Sequence, residues 1–304
     1  MNRRTITRRR MLGLVGSAGA ALPGPPALTG LRIAAAQVQK PIPVPPPIAS
    51  RYADAVLASH PVAYWRLGER KGSPKAADST GNHHSGAYHG KPHLGQPGAI
   101  ADDANTAVGL DGPASRSFVE IPDSKLFSVA SSGEGLTIEV WMRPDVLDFP
   151  GENRDPGNAY IHWLGKGAAG EQEWALRFYN HRAIRSNRIS AYIFSPKGGQ
   201  GAGAYFEDKL TAKRWIYVVA TYDDPKVKDA RVQIYKNGEP GAHNSSPGAL
   251  YKTYAIEARH GDAPLRLGTD SLLGFLTGGL DEVAIYPRVL KPQEIASHWA
   301  RAHI

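Results

Sequence analysis

The chain has 304 residues, 36 Lys and Arg against 28 Asp and Glu, a formal charge of +8, and no cysteine. Without cysteine there can be no disulfide, thiolate metal site, thiol nucleophile or lipid-modified cysteine anchor. The first 36 residues hold six arginines and no acid, so the remainder carries only +2. The clustered basic face that nucleic acid requires is therefore not expected.

The chain opens on Thr7-Arg8-Arg9-Arg10-Met11-Leu12-Gly13, continues through a weakly apolar run to Leu22 and reaches Ala34-Ala35-Ala36. A charged start, a short apolar stretch and small residues at a cleavage point predict a signal peptide over residues 1–36, cut after Ala36. The paired arginines resemble a twin-arginine export signal, which implies use of that machinery and a secreted, extracytoplasmic protein. The apolar stretch is too short and too polar for a transmembrane segment. Residues 37–49 include Pro-Ile-Pro-Val-Pro-Pro-Pro-Ile, a stiff extended linker. The folded domain is expected over residues 50–304.

A short helix is predicted over 50–59, capped by Ser50 and with Tyr52 and Val56 on one face. Short apolar alternations then predict strands at 62–67, 118–121, 136–143, 160–164, 174–179, 188–194, 215–222, 231–236, 265–267 and 280–286. Lys236-Asn237-Gly238-Glu239 predicts a hairpin, because Asn-Gly suits the two positive-φ positions of a type I′ turn. A second helix is predicted over 292–302, with Pro292 in its first turn and Ile295 and Trp299 as an apolar pair. It is expected to pack on the strands as a lid. Many short strands without intervening helices indicate an all-β sandwich or barrel.

Several strings occur in order: Pro61-Val62-Ala63-Tyr64-Trp65-Arg66-Leu67-Gly68-Glu69, Ala77-Asp78-Ser79-Thr80-Gly81-Asn82, Phe118-Val119-Glu120-Ile121-Pro122-Asp123, Leu136-Thr137-Ile138-Glu139-Val140-Trp141, and Gly279-Leu280-Asp281-Glu282-Val283-Ala284-Ile285-Tyr286-Pro287-Arg288-Val289-Leu290. The chain from about Tyr52 to His303 thereby resembles the LamG-like jelly-roll domains of the concanavalin A-like lectin/glucanase superfamily. The resemblance implies a two-sheet antiparallel jelly-roll sandwich, here with short N- and C-terminal helices. It also implies frequent calcium and glycan binding, mostly without catalysis. The sequence departs from the pattern in a Gly/Pro-rich insertion at 146–158, a long connection at 242–262, and Pro287 where the family often has Asn.

Two candidate sites follow. The loop from Asp78 to Asn82 offers hard oxygens of the kind calcium takes, and an Asx-type turn is the other reading. The resemblance implies that the first and last strands are neighbours, so Asp281 would join Asp78 and Asn82 around a structural Ca2+. Alternatively Asp281 pairs with Arg66 or Arg288. Glu282, one residue on, is expected on the opposite face with no role. For sugar, period-2 alternation turns Glu139, Trp141, Arg177, Tyr179 and Tyr192 outward, as one open face of rings and polar groups.

Superfamily glucanases need paired carboxylates on one strand face. No such pair, no Gly-x-Ser-x-Gly and no His-Glu-x-x-His occurs. His83, His84, His89 and His93 form a loop cluster open to either solvation or zinc or copper binding. The reading is an exported, lectin-like jelly roll that binds a polysaccharide or glycoconjugate, non-catalytic and with structural calcium. The alternatives are a secreted glycoside hydrolase or lyase, and an envelope adhesion module that binds protein.

Overall fold

Apolar alternation over runs of three to ten residues gives strands whose inner faces must meet another apolar layer. In the computed structural model these strands form two antiparallel sheets. The structure describes residues 51–303 apart from 153–156, 158, 169–170, 195–200, 208–209, 225–230 and 241–257. The expected signal peptide with Ala36, the linker and most of the long connection lie outside the described residues.

In chain order the elements are α1 (Arg51–Ala58), β1 (Ala63–Trp65), β2 (Lys75–Ala76), β3 (Gly86–His89), β4 (His93–Pro97), β5 (Thr106–Asp111), β6 (Phe118–Ile121), α2 (Val129–Ser132), β7 (Leu136–Pro144), β8 (Tyr160–Lys166), β9 (Trp174–Tyr179), β10 (Arg188–Phe194), β11 (Gly201–Glu207), β12 (Ile216–Tyr222), β13 (Val232–Lys236), β14 (Glu239–Pro240), β15 (Leu265–Leu267), β16 (Thr277–Tyr286) and α3 (Pro292–Arg301). The first sheet runs β14-β13-β12-β7-β16-β5-β4, with β1 also on β16; the second runs β11-β10-β9-β8-β15-β6-β3-β2. No described helix is long and apolar enough to cross a membrane.

All ten predicted strands are present, with edges within a few residues. The hairpin turn is as expected, with Asn237 at φ 52° and Gly238 at φ 83°. Alternation misses β2, β3, β4, β5 and β11, the last of which begins Gly-Ala-Gly-Ala. There small residues are required, because a side chain at Gly201 or Gly203 would meet the carbonyls of Ile193 or Ala191 on β10.

Between the sheets lies one core that includes Trp65, Val140, Trp163, Leu176, Phe178, Ile189, Ile193, Val218 and Ile285. A second apolar layer covers the outer face of the first sheet. There Tyr52 and Val56 of α1 and Ile295 of α3 bury Trp141, Tyr217 and Tyr286. Trp299 of α3 stacks on Trp141 at 5.3 Å and 19°. This overturns the sugar-binding role expected of Trp141 and Glu139. Alternation turned both outward correctly, but the two helices roof that side of the sheet. Trp141 is 2% exposed and Glu139 not at all.

A buried carboxylate must be matched, and Glu139 is matched four times. The hydroxyls of Tyr52, Tyr217 and Tyr286 donate to it at 2.7, 2.7 and 2.6 Å. His298 Nδ1 lies 3.1 and 3.0 Å from its two oxygens, and its Nε2 meets Ser59 Oγ at 2.9 Å. Burial alone would raise the Glu139 carboxyl, but the His298 charge and the hydrogen bonds outweigh it and hold the group below its ordinary value. Burial alone would lower His298, but Glu139 outweighs that and holds it above its ordinary value. The pair therefore pins both terminal helices to the sheet.

The stability from Glu139 is complete above its ordinary pKa of 4.5 and is lost as pH falls through the lowered folded value. That from His298 is complete below 6.5 and is lost as pH rises through the raised folded value. Replacing His298 by Ala strands the carboxylate and is expected to cost about 3–5 kcal/mol in urea denaturation. The loss is expected to be largest between pH 4.5 and 6.5. A loss that does not vary with pH would show that the two groups are not an ion pair.

Candidate functional site

The acidic pair of β16 sits at an interruption in the sheet. One edge of β16 pairs with β5 up to Leu280 and with β1 from Val283. Opposite β7 the register shifts between Asp281 and Ala284, which adds one residue to β16. Glu282 takes the strain, at φ 51°. A bulge breaks the period of two, so the expectation that Asp281 and Glu282 face opposite ways is wrong. Asn105 Nδ2 donates to both, at 3.3 Å to Asp281 Oδ1 and 3.1 Å to Glu282 Oε1.

Arg66 binds Glu282 through Nε (3.0 Å) and Nη2 (2.8 Å), and Asp103 at 2.5 Å. Tyr64 Oη also donates to Glu282. Asp281 Oδ2 instead accepts from the Ala99 amide at 2.8 Å. Neither ion-pair partner suggested for Asp281 is used, since Arg288 is bound to Glu294 at 2.7 Å. Burial, then the Glu282 charge, push the Asp281 carboxyl well up. Burial pushes Glu282 up as well, against the pull of Arg66.

The other half of the expected calcium site does not fit. Asp78 Oδ1 accepts from Tyr64 N, Thr80 N and Thr80 Oγ1 at 3.1, 3.0 and 2.8 Å, and Oδ2 from His84 N at 2.9 Å. A carboxylate has about four acceptor positions; three donors meet Oδ1 and one meets Oδ2, so most of this carboxylate is already satisfied within the loop. Burial would raise the group, but these donors hold it below its ordinary value. Asn82 spends its amide on the Val62 carbonyl at 3.0 Å. The loop is an Asx-type turn that ties β1 down.

Three of the four loop histidines go to separate partners, Phe127 for His84, Phe118 for His89 and Asp111 for His93. Asp123, His260 and Asp262 do bring ligand-type atoms within 4.8 Å of one another. Lys166 Nζ already serves that corner, at 2.6 Å from Asp123, 2.8 Å from Glu173 and 3.0 Å from two carbonyls.

The outer face of the second sheet is different. Leu176 and Phe178 of β9 and Ile189, Ala191 and Ile193 of β10 point into the core. Arg177, Tyr179, Ser190 and Tyr192 consequently point out, as alternation predicts, but the open face expected of them is not found: Tyr179 is 1% and Tyr192 2% exposed, and only Arg177 of the expected residues here is partly exposed. Three of the five expected sugar-binding residues thus come together here, on a sheet separate from Glu139 and Trp141. The Arg177 guanidinium lies between the rings of Tyr160 and Tyr192, 4.0 and 4.1 Å from their centroids. Phe194 stacks beside Tyr192 at 6.1 Å and 24°.

Arg177 donates through Nε (3.1 Å) and Nη2 (2.9 Å) to His162 Nε2. A guanidinium can only donate, so Nε2 accepts and the ring proton is on Nδ1, which meets Glu152 Oε2 at 3.0 Å. Burial and Arg177 together hold His162 below its ordinary value, so the imidazole is a neutral spacer. Arg177 Nη1 and Arg185 Nη1 both donate to Tyr179 Oη, at 3.1 and 3.3 Å. Burial would raise that phenol, but the Arg177 charge and the donated hydrogen bonds bring it below its ordinary value.

Alternation within 160–164 could have added Tyr160 and His162 to the expected site. No pattern signalled Glu152, Arg185 or Asp270, which lie in loops. Asp270 is fully buried beside Gly165, and neither of its oxygens has a hydrogen-bond partner among the described residues. Burial, then Glu152, push its carboxyl up to about 7, against Arg266.

Comparison with known proteins agrees with this architecture. Residues 113–296 match the family Laminin_G_3, of the concanavalin A-like lectin/glucanases superfamily. The chain belongs to that family. No curated protein matches. Among solved structures, the binding domain of botulinum neurotoxin DC in complex with rat synaptotagmin II is similar, with a TM-score of 0.56, 9% identity, and coverage of 82% of this chain and 53% of that one. The same binding domain in complex with SialylT gives 0.53, 10%, 81% and 52%. The botulinum neurotoxin type G receptor binding domain gives 0.50, 13%, 79% and 51%. The chain spans about half the length of these structures, and at such identities the likeness is one of fold.

Because Asp270 carries a raised folded pKa, its contribution to stability is complete below pH 3.8 and is lost as pH rises through about 7. Asp270→Asn is expected to remove that slope, worth at most about 4 kcal/mol. Melting curves from pH 4 to 8 check this. A variant with the wild-type slope would place the titrating group elsewhere.

Proposed function

We propose that the chain is an exported, lectin-like module that binds a polysaccharide or glycoconjugate on the outer face of its second sheet. One observation carries the reading: Arg177, Tyr160 and Phe194 are partly exposed side by side, with Arg177 clamped between Tyr160 and the buried Tyr192, on a sheet face that no described helix roofs. Flat rings next to fixed donors match a sugar, whose ring faces are apolar and whose rim is hydroxyl. The neurotoxin domain found with SialylT is consistent with a binding role for this fold. The one found with synaptotagmin II keeps a protein ligand as the rival reading. Glu139 is not a catalytic acid in this reading, because both terminal helices seal it from substrate.

The signal peptide over 1–36, twin-arginine export and a secreted location belong to the same proposal. N-terminal sequencing of secreted protein would begin at Gln37. On an array of neutral and acidic glycans, the wild-type protein is expected to retain at least one class, and Tyr192→Ala to lose about tenfold or more in affinity. Retention of no glycan, with capture of a cell-surface protein instead, would replace this reading by the protein-binding one.

Structural calcium is retained in the proposal at Asp281 only. Asn105 Nδ2 lies within 3.3 Å of Asp281 Oδ1, Glu282 Oε1 and the carbonyls of Arg66 and Thr106. Those oxygens with the Asn105 side chain are the set that would hold the ion, which would supply charge to two buried acids of which Glu282 alone has a cation in contact. Calcium is expected to raise the melting temperature relative to chelator. Asp281→Asn is expected to abolish that difference, while Asp78→Asn leaves it. Equal melting with calcium and chelator in the wild type would remove calcium from the description.

A further inference from the structure

Asp270 is a buried acid that no described cation meets. It has no exposed surface, and neither carboxylate oxygen has a hydrogen-bond partner among the described residues. The hydroxyl of Ser271, a residue 9% exposed, has none either. Three oxygens on two consecutive residues are thus buried and unmatched. Three other buried acids each meet a cation: Glu139 meets His298, Glu282 meets Arg66 and Glu173 meets Lys166. Arg266 does not do this for Asp270. It donates to the Asp270 carbonyl at 2.7 Å and to Glu120 at 2.9 Å, but forms no ion pair with the Asp270 carboxylate.

The loop between β15 and β16 fixes this arrangement. Thr269 Oγ1 donates to the Gly274 carbonyl at 2.6 Å and accepts from the Leu272 amide at 3.3 Å, which closes residues 269–274 into a ring. Asp270 is thereby laid over β8, where a side chain at Gly165 would begin 3.0 Å from the carboxylate. Gly274, at the other end of the ring, leaves space for Glu152. The Cγ and Oε1 atoms of Glu152 lie 2.6 and 2.8 Å from where a side chain at 274 would begin. Two glycines therefore let two carboxylates close on one short loop. The Glu152 side chain is 6% exposed, and its charge is the strongest acting on Asp270.

Glu152 keeps acceptor capacity of its own. Its Oε1 accepts from the His162 amide at 2.5 Å, and its Oε2 meets His162 Nδ1 at 3.0 Å. Both donors are neutral. A carboxylate has about four acceptor positions, so about half remain. Buried charge is costly unless it is paired or coordinates a metal, and here two acids approach each other without a cation between them. Carboxylate and hydroxyl oxygens are hard ligands, which suit magnesium, calcium and manganese rather than softer metals. Calcium takes about six to eight oxygens, more than these three side chains offer. One or two carboxylates are the usual protein share of a magnesium site, and manganese takes the same octahedral oxygen set.

We infer that Asp270, Ser271 and Glu152 form a site for one small divalent cation of the magnesium or manganese class, enclosed between the 269–274 loop and β8. The ion ties the β15–β16 loop to the segment that carries Glu152, and so braces the His162 and Arg177 row that Glu152 supports. The stability lost through Asp270 as pH rises is then a property of the ion-free protein. The site is independent of the glycan-binding reading and of calcium at Asp281.

The test is a metal count on protein purified from cultures supplied with Mn2+ and dialysed to remove loose ion. Elemental mass spectrometry gives the manganese retained, and electron paramagnetic resonance reports its oxygen environment. The wild type is expected to retain about one ion per chain, displaced by excess Mg2+, and to melt at a higher temperature with Mn2+ than after treatment with chelator. Asp270→Asn and Glu152→Gln are each expected to weaken manganese binding about tenfold or more, and Ser271→Ala about threefold. Asp281→Asn is expected to keep the ion, which separates this site from the calcium proposed at Asp281. No manganese or magnesium retained by the wild type, with no gain in melting temperature from either, would overturn the inference. Retention by Asp270→Asn and Glu152→Gln equal to that of the wild type would also overturn it, by placing the ion elsewhere. Because the count and the melting curves are read on wild-type protein as well, the inference stays falsifiable if Asp270→Asn does not fold.

Discussion

The last strand of this domain cannot pair along its whole length with one neighbour. Its free edge is shared by β5 and β1, which meet it on either side of residues 281 and 282. Where one partner ends and the other begins, backbone groups would be left without a ladder, and an unsatisfied buried polar group costs about 1–3 kcal/mol. Asp281 and Glu282 supply side-chain oxygens for that gap. Asp281 takes the Ala99 amide, Glu282 takes Arg66 and Tyr64, and Asn105 joins the two acids. The bulge at Glu282 is the condition for this, since without the extra residue the two carboxylates would face opposite layers. The first strand, the 98–106 segment and the last strand are tied together at this one place.

Closing the sandwich leaves two outer faces, and the chain treats them differently. On the first sheet, the outward residues include Tyr64, Trp141, Tyr217, Val219, Ala284 and Tyr286 around the one acid Glu139, and such an apolar surface would be an aggregation hazard if left open. Helices from both ends of the domain cover it and carry the His298 that neutralises the acid. On the second sheet the outward row is His162, Arg177, Tyr179 and Tyr192; the polar atoms of the first three bond to one another, and the Tyr192 ring packs on the Arg177 guanidinium. That row needs no helical roof. The opposing sheet and its two helices give it a rigid support, which a preformed binding surface requires.

Much of this was legible in the sequence. Ten strands, the Asn-Gly turn, the two terminal helices and the inward or outward sense of Arg177, Tyr179 and Tyr192 follow from periodicity and turn chemistry. What alternation cannot supply is the identity of the layer that covers an outward face. Glu139 and Trp141 were turned outward correctly and are buried all the same, because the residues that cover them are about 85 to 160 positions away in the chain. Nor can period two survive a bulge, which is why Glu282 was put on the wrong side. The Asp78 loop shows the limit of composition. The same Asp-Ser-Thr-Gly-Asn suits a calcium loop or an Asx turn, and only the four donors around the carboxylate distinguish the two.

The remaining logic lies in how buried charges are matched. Glu139 has a cation and three phenols. Glu282 shares Arg66 with Asp103, Asp281 has an amide and Asn105 in place of a cation, and the Asp270 oxygens have no hydrogen-bond partner among the described residues. Arg177 is the reverse case, a cation with no acid in direct contact. A fold that matches Glu139 and Lys166 so fully does not leave charges unmatched for want of residues that could do it. Structural sites gain from internal neutrality, since an unpaired buried charge costs several kcal/mol. A binding site gains from the opposite, because the missing counter-charge is what the ligand brings. On that ground the closely matched Glu139, though it has the greater concentration of aromatic and ionisable groups around it, marks structure.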